Sequence, residues 1–266
     1  MSLPAPESPI LQDKRHADLS AFTPENLLRE ARRQKGLSAA RVPRVCVLDP
    51  DADTLRDLIA TGRLRRDPSW ACYHTELYVF AEGDVSFGLI GGVVGASFAV
   101  LVAEELFASG CERLLSITSA GQITPVGTPP YFILIDRAIR DEGTSYHYLP
   151  PARYADADPG LVDAAERALA ANGLAVVRGS TWTTDAPFRE TAGTIASRRD
   201  EGVLAVEMEA AALYAFAKAS GRSVLCFAHV TNQMGRTHGD FEKGEANGAR
   251  AALRLIRALV GGLDRP

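Results

Sequence analysis

The sequence predicts an α/β fold, a three-layer α/β/α sandwich around a central mixed sheet, and three observations lead there. From residue 44 onward, short runs of branched apolar residues alternate with segments of helix formers, as strands covered by helices do. Residues 85–103 carry no charge over nineteen positions, close to the roughly 20 apolar residues that span a bilayer. Gly91-Gly92 breaks that run into a strand and a helix suited to a buried core, so no membrane span is expected. Residues 203–218 pass abruptly from an apolar run, through Glu207 and Glu209, into an alanine-rich helical pattern.

Composition narrows the class. The 266 residues read as a single domain over 16–266 behind a flexible tail over 1–15. A formal net charge of −4 with dispersed basic residues gives no electrostatic footprint for nucleic acid or a membrane surface. Cys46, Cys72, Cys111 and Cys226 form no CxxC pair, and three of them lie in apolar runs, so reduced thiols in a cytoplasm fit best. The first ten residues hold three prolines and no apolar core, which argues against a secretory signal.

The elements follow in order. Thr23-Pro24 reads as an N-cap with proline at the first helical position, opening a helix through Arg32 that ends near Gly36. Residues 44–48 form the first strand, closed by Asp49-Pro50-Asp51, and a helix runs to about Ala60. Residues 61–68 read as an arginine-rich polar loop, and strands at 76–80 and 85–90 are joined as a hairpin over 81–84. The Gly91-Gly92 turn then launches a buried helix over about 96–106. The strand at 113–118 is expected to end in a small-residue turn, Ser119-Ala120-Gly121-Gln122, with room for a ligand beside the backbone. A strand at 131–136 leads into irregular composition over 137–157, read as a long surface loop. Asp158-Pro159 caps a helix ending at Asn172-Gly173, then come a strand over 174–182 and a helix over 187–199. After the 203–206 strand and 210–218 helix, residues 223–230 form the last core strand and 231–243 a polar loop. Leu253, Ile256 and Val260 mark an amphipathic terminal helix over 246–260.

The 203–218 junction is where chemistry is expected. Ligands of open α/β sheets bind beyond the carboxyl ends of strands, and a carboxylate in a first helical turn gains from the helix dipole. Glu207 and Glu209, two apart around Met208, need not point the same way: one can meet a ligand while the other anchors the turn. The Val-Glu-Met-Glu-Ala-Ala-Ala run over 206–212 resembles the ribose-binding signature of the nucleoside phosphorylase superfamily, in the branch of uridine phosphorylase, hexameric purine nucleoside phosphorylase and related nucleosidases. The likeness extends from His16 to about Leu259, since the strand-end turns come in the family's order.

The resemblance implies a nucleoside substrate, with Glu209 taking the ribose 2′ and 3′ hydroxyls and Met208 packed against the sugar. An ionised carboxylate suits this, being acceptor-only and able to accept two O–H donors at once. Glu207, Ser119, Ala120 and Gly121 join it as substrate-binding positions. Thr183-Thr184-Asp185-Ala186-Pro187-Phe188 stands where the family has Ser-Ser-Asp-Thr-Phe-Tyr. Phe188 is therefore the candidate for stacking on the base, the alternative being ordinary packing at a helix start. Arg189 and Glu190 fall near the residues with which uridine phosphorylases read the uracil edge. Asn232 occupies the strand end where the family carries a catalytic aspartate or asparagine, unless it merely caps the loop. Its amide is both donor and acceptor, which favours a uracil-like or 6-oxopurine base over adenine. His16 stands where the family uses a neighbouring subunit's histidine on the ribose 5′ hydroxyl, implying a homo-oligomer, dimer or hexamer, with shared sites; the alternative is an exposed side chain.

No metal is expected, because His74, His147, His229 and His238 are scattered without ligand spacing. No cofactor is implied beyond phosphate as a possible co-substrate, which would make the products free base and ribose 1-phosphate. Yet the three places where phosphorylases hold phosphate with arginine read Leu48-Asp49-Pro50-Asp51-Ala52, Thr75 and Ser116. Asp49 and Asp51 would repel a dianion, whereas water needs only a base, for which Asp51 or Asp53 is at hand. The reaction that the resemblance implies is cleavage of the N-glycosidic bond, nominally by phosphorolysis with Arg63, Arg65 or Arg66 swung into place; hydrolysis to free base and ribose, and a non-catalytic nucleoside-binding role, are the alternatives. A serine hydrolase lacks its Gly-x-Ser-x-Gly elbow, and Gly91-Gly-Val-Val-Gly95 lacks the dinucleotide spacing.

Overall fold

The computed structural model describes residues 8–234 and 241–263. The expected loop over 231–243 is therefore seen only at its two ends, and His238 and residues 1–7 of the tail lie outside the described residues. In chain order the elements are α1 (Pro24–Lys35), β1 (Val45–Asp49), α2 (Asp53–Ala60), β2 (Leu64–Arg66), β3 (Tyr78–Glu82), β4 (Val85–Gly91) and α3 (Ala96–Ala108). There follow β5 (Arg113–Gln122), β6 (Tyr131–Asp141), β7 (Tyr154–Asp156), α4 (Pro159–Ala171), β8 (Val177–Thr184) and α5 (Ala192–Asp200). The chain closes with β9 (Ala205–Glu207), α6 (Ala210–Ser220), β10 (Ser223–Gln233) and α7 (Ala249–Gly262).

The predicted mixed sheet is present, with strand order β10-β6-β8-β9-β5-β1-β4-β3-β2 and β7 added on β6. Helix α3 contacts both α1 and α6, and α7 contacts both α2 and α4. The start signals act as read: Thr23 caps α1 by accepting from Asn26 N, and Asp158 caps α4 by accepting from Leu161 N. Apolar residues of the central strands, among them Leu48, Leu89, Leu114, Leu134 and Phe227, are fully buried in one continuous core. All four cysteines are buried and free. Among the described residues no helix is long and apolar enough to cross a membrane.

One feature goes beyond a flat sandwich. Strand β10 pairs with β5 as well as β6, so β5, β10, β6, β8 and β9 form a closed ring of pairings. This closure extends β5 beyond its expected end. Ser119-Ala120-Gly121-Gln122 is no turn but the last part of β5, pairing β10 along its length and β9 at Gly121↔Val206. Small side chains let three backbones converge there.

The 137–157 stretch is also not a loop. Strand β6 runs on to Asp141, a 3-10 turn spans Thr144–His147, and β7 pairs back on β6. Its polar composition conceals a buried network: Arg140 donates to Ser145 Oγ, Pro150 O and Leu149 O at 2.7–3.0 Å. The 61–68 loop contains the short edge strand β2 on β3, with Arg63 paired to Glu82 and Arg66 to Glu76. The single helix expected over 187–199 is split into a 3-10 turn, Pro187–Arg189, and α5, which Thr191 caps anew. The terminal helix begins at Ala249, after a 3-10 turn over Glu245–Gly248.

Candidate active site

Strands β1, β4, β5 and β10 run parallel, so Asp49, Gly91, the end of β5 and Asn232 gather at one edge of the sheet. Across the tip of β5 lies β9, antiparallel to it, which carries the chain into α6 through Glu207, Met208 and Glu209.

The two glutamates have opposite duties. Glu207 is 3% exposed and all its acceptor capacity is engaged within the chain. Oε2 accepts from Glu209 N and Ala210 N, each at 2.7 Å, and Oε1 accepts from the hydroxyls of Thr181 and Thr183. Thr183 Oγ1 in turn accepts from Ala211 N at 2.9 Å. Glu207 and Thr183 thus satisfy the backbone donors that open α6. The substrate-binding part expected of Glu207 along with Glu209 is not what this geometry serves: its carboxylate anchors the turn.

Glu209 is thereby freed from capping its own helix. Its Oε1 accepts from Gly95 N at 2.7 Å, while Oε2 is buried with no partner. Gly95, at φ 95°, is the residue before the first turn of α3, a conformation suited to glycine. The carboxylate therefore lies at two helix N-termini, those of α3 and α6. Burial nevertheless pushes its pKa up to about 8, aided by the charge of Glu207 and opposed by the hydrogen bond from Gly95. Burial also raises Glu207.

Around this pair the remaining residues are unevenly placed. Met208 and Ser119 are half-buried, and Ala120 and Gly121 are buried in β5. Asn232 is half-buried in β10, paired in register with Gly121; its Oδ1 accepts from Thr231 Oγ1 at 3.3 Å. Met234 lies directly on Gly121, since a Cβ there would come within 2.2 Å of its Sδ. Phe188 is 99% exposed, so it is not a core residue, and Arg189 beside it is exposed as well. Glu190 is half-buried, and desolvation pushes its pKa up to about 7. His16 donates from Nε2 to Tyr146 O at 3.1 Å, on the 3-10 turn of its own chain. Strand pairing thus brings Ser119, Ala120, Gly121 and Asn232 to the strand end from which β9 leads into Met208 and Glu209, while Phe188 and Arg189 are exposed and His16 is bonded to Tyr146 O.

Asp51 lies in the β1–α2 turn, where Lys243 Nζ stands 3.5 Å from its Oδ2 and 2.6 Å from Asp53 Oδ2. Asp49 is buried, its Oδ2 accepting from Leu55 N, and burial with the nearby charges of Asp51 and Asp53 pushes its pKa up to about 7. At the other two places where phosphorylases carry arginine, Thr75 accepts from Trp70 Nε1, and the Ser116 hydroxyl is buried without a partner. Sequence reasoning missed Gly95, Thr183, Met234 and Lys243 as site residues. Only Gly95 carried a signal, a third glycine at a strand-to-helix junction.

The chain is thus an α/β protein with a closed mixed sheet and, at its strand ends, a buried carboxylate with one oxygen lacking a donor. Residues 44–261 match the family model of the phosphorylase superfamily, and the chain belongs to that superfamily. Among solved structures it is similar to uridine phosphorylase from Vibrio fischeri ES114, complexed with 6-hydroxy-1-naphthoic acid, at TM-score 0.67 and 18% identity, covering 85% of this chain and 92% of that one. It is likewise similar to purine nucleoside phosphorylase from Toxoplasma gondii in complex with immucillin-H, at TM-score 0.70 and 14% identity, covering 84% and 90%. At these identities the likeness is one of fold.

Proposed function

We propose that this chain cleaves the N-glycosidic bond of a ribonucleoside with a uracil-like or 6-oxopurine base and passes the sugar to water. The observation that carries the reading is the divided Glu209 carboxylate, one oxygen fixed by Gly95 N and the other buried without a donor. Two adjacent sugar hydroxyls supply the missing donors, favour the ionised form, and so place a negative charge beside the sugar ring. As the bond breaks, its electron pair goes to the base and positive charge grows on the sugar, which Glu209 stabilises; a water oxygen then bonds to the anomeric carbon and its proton is released to the base. Asn232, at the end of β10 opposite Gly121, can pair with a carbonyl and a ring N–H together.

Water is favoured over phosphate because no arginine among the described residues stands at the three expected places, while Asp51 and Asp53 engage Lys243. Phosphorolysis to ribose 1-phosphate is the second reading, favoured by the family match. The four free, buried cysteines support a reducing compartment such as the cytoplasm. Incubating a ribonucleoside panel with and without phosphate, and identifying both base and sugar product, tests the proposal. Free ribose at the same rate in both conditions supports it. Ribose 1-phosphate formed only with phosphate replaces water by phosphate, and no freed base from any nucleoside leaves a binding protein.

A further inference from the structure

Beside the Glu209 cluster, the end of β1 holds a second group of charges that the cleavage reading leaves unused. Asp49, Asp51 and Asp53 fall within five residues, and Lys243 reaches in from the chain segment before α7. Arg56, one turn into α2, donates to Asp53 Oδ1 at 2.7 Å and to Asp51 O at 2.6 Å. The corner adjoins Glu209 through one short loop: Gly92 N donates to Asp49 O, and Gly95, three residues on, holds Glu209. It also adjoins the tip of β5, because His229 pairs in register with Ser119. That imidazole is stacked on Phe132 at 4.6 Å, and a Cβ on Gly248 would come within 2.2 Å of it. Burial first, and the charge of Lys243 second, bring its pKa down to about 4, so it adds no positive charge at neutral pH.

We propose that Asp51 and Asp53 select the acceptor, clamping Lys243 so that its ammonium is not offered to an anion and a neutral acceptor is taken instead. Counting Lys243 and Arg56 against Asp51 and Asp53, the corner is neutral before Asp49 is considered. A phosphate dianion needs unengaged, charge-assisted donors to offset its desolvation, and would have to draw Lys243 off a 2.6 Å contact with Asp53. Burial works against the Lys243 ammonium, but the contacts with Asp53 and Asp51 outweigh it and raise its pKa, so the pair is held firmly in its charged form. The clamp gives the water reading its physical basis and rests on it for the identity of the donor sugar.

The test uses inorganic phosphate as probe, titrated calorimetrically into the wild-type protein, Asp51→Asn/Asp53→Asn, and the same double variant carrying Lys243→Met; Asp53→Asn alone serves if the double variant does not fold. The expected result is phosphate affinity at least ~10-fold tighter in the aspartate variants than in wild type, lost again with Lys243→Met. With nucleoside present, the same variants should divert product from ribose towards ribose 1-phosphate. Wild-type phosphate affinity equal to that of the variants, or tighter binding that survives Lys243→Met, overturns the clamp. A wild type that cleaves no nucleoside overturns the cleavage reading alone, because the binding comparison still decides the clamp.

Discussion

At the scale of single residues, the proposed function rests on Glu209, whose turn Glu207 anchors. Glu209→Ala removes the only carboxylate oxygen in the pair left free, and should lower ribonucleoside turnover by about 10²-fold or more, roughly 2.7 kcal/mol of transition-state stabilisation. Steady-state kinetics at wild-type level in that variant would remove Glu209 from the reaction. The raised pKa has a thermodynamic signature as well. With a folded value of about 8 against an ordinary 4.5, the folded state keeps a proton that the unfolded chain has released between those limits. Its contribution is fully present below about pH 4.5 and is lost as pH rises through 8, a penalty on the order of a few kcal/mol. The melting temperature should therefore fall from pH 5 to pH 9, and fall less in Glu209→Gln; parallel curves for the two proteins would contradict the assignment.

At the scale of elements, α6 depends on Glu207 for its first turn, so Glu207→Ala strands two buried backbone N–H groups and two threonine hydroxyls at once. A loss of roughly 3 kcal/mol or more is expected, read as a lower urea midpoint at unchanged slope. The entry to α7 is similarly constrained. Gly248 sits at φ 84°, and a Cβ would meet His229 Cε1 at 2.2 Å and Lys243 O at 2.8 Å. Gly248→Ala should cost about 2–4 kcal/mol through left-handed strain and overpacking, and a midpoint within error of wild type would show that the turn rearranges freely. Element starts were largely legible, because caps such as Thr23 and Asp158 act through bonds to residues three positions away. The ends of β5 and β6 were not. Ser119-Ala120-Gly121-Gln122 has the composition of a turn, and only its pairing with β9 and β10 makes it strand.

At the scale of the whole molecule, the predicted layers and mixed sheet are present, while the ring closed by the β5–β10 pairing was not foreseen. Assembly belongs to this scale too. The resemblance implies a histidine from a neighbour at each sugar site, and His16 in its own chain is bonded to Tyr146 O. The chain is therefore expected to sediment as a dimer or larger; a fully active monomer would rule out shared sites.

The local grammar of this sequence was enough to determine the alternation of strands and helices, the family, and the stretch where a carboxylate meets a strand end. Those features depend on propensity, periodicity and near neighbours, all written in consecutive residues. The resemblance pointed to Glu209 as the glutamate that meets the sugar, but why it rather than Glu207 has an oxygen free is visible only in three dimensions. Glu207 and Glu209 are chemically identical and two positions apart, and their roles are divided by donors from Thr181, Thr183 and Gly95, the last of them 114 residues away in the chain. The same holds for Lys243, which meets Asp51 and Asp53 across 192 and 190 residues. Charge pairing at that separation depends on how the sheet folds back on itself, and no local pattern records it.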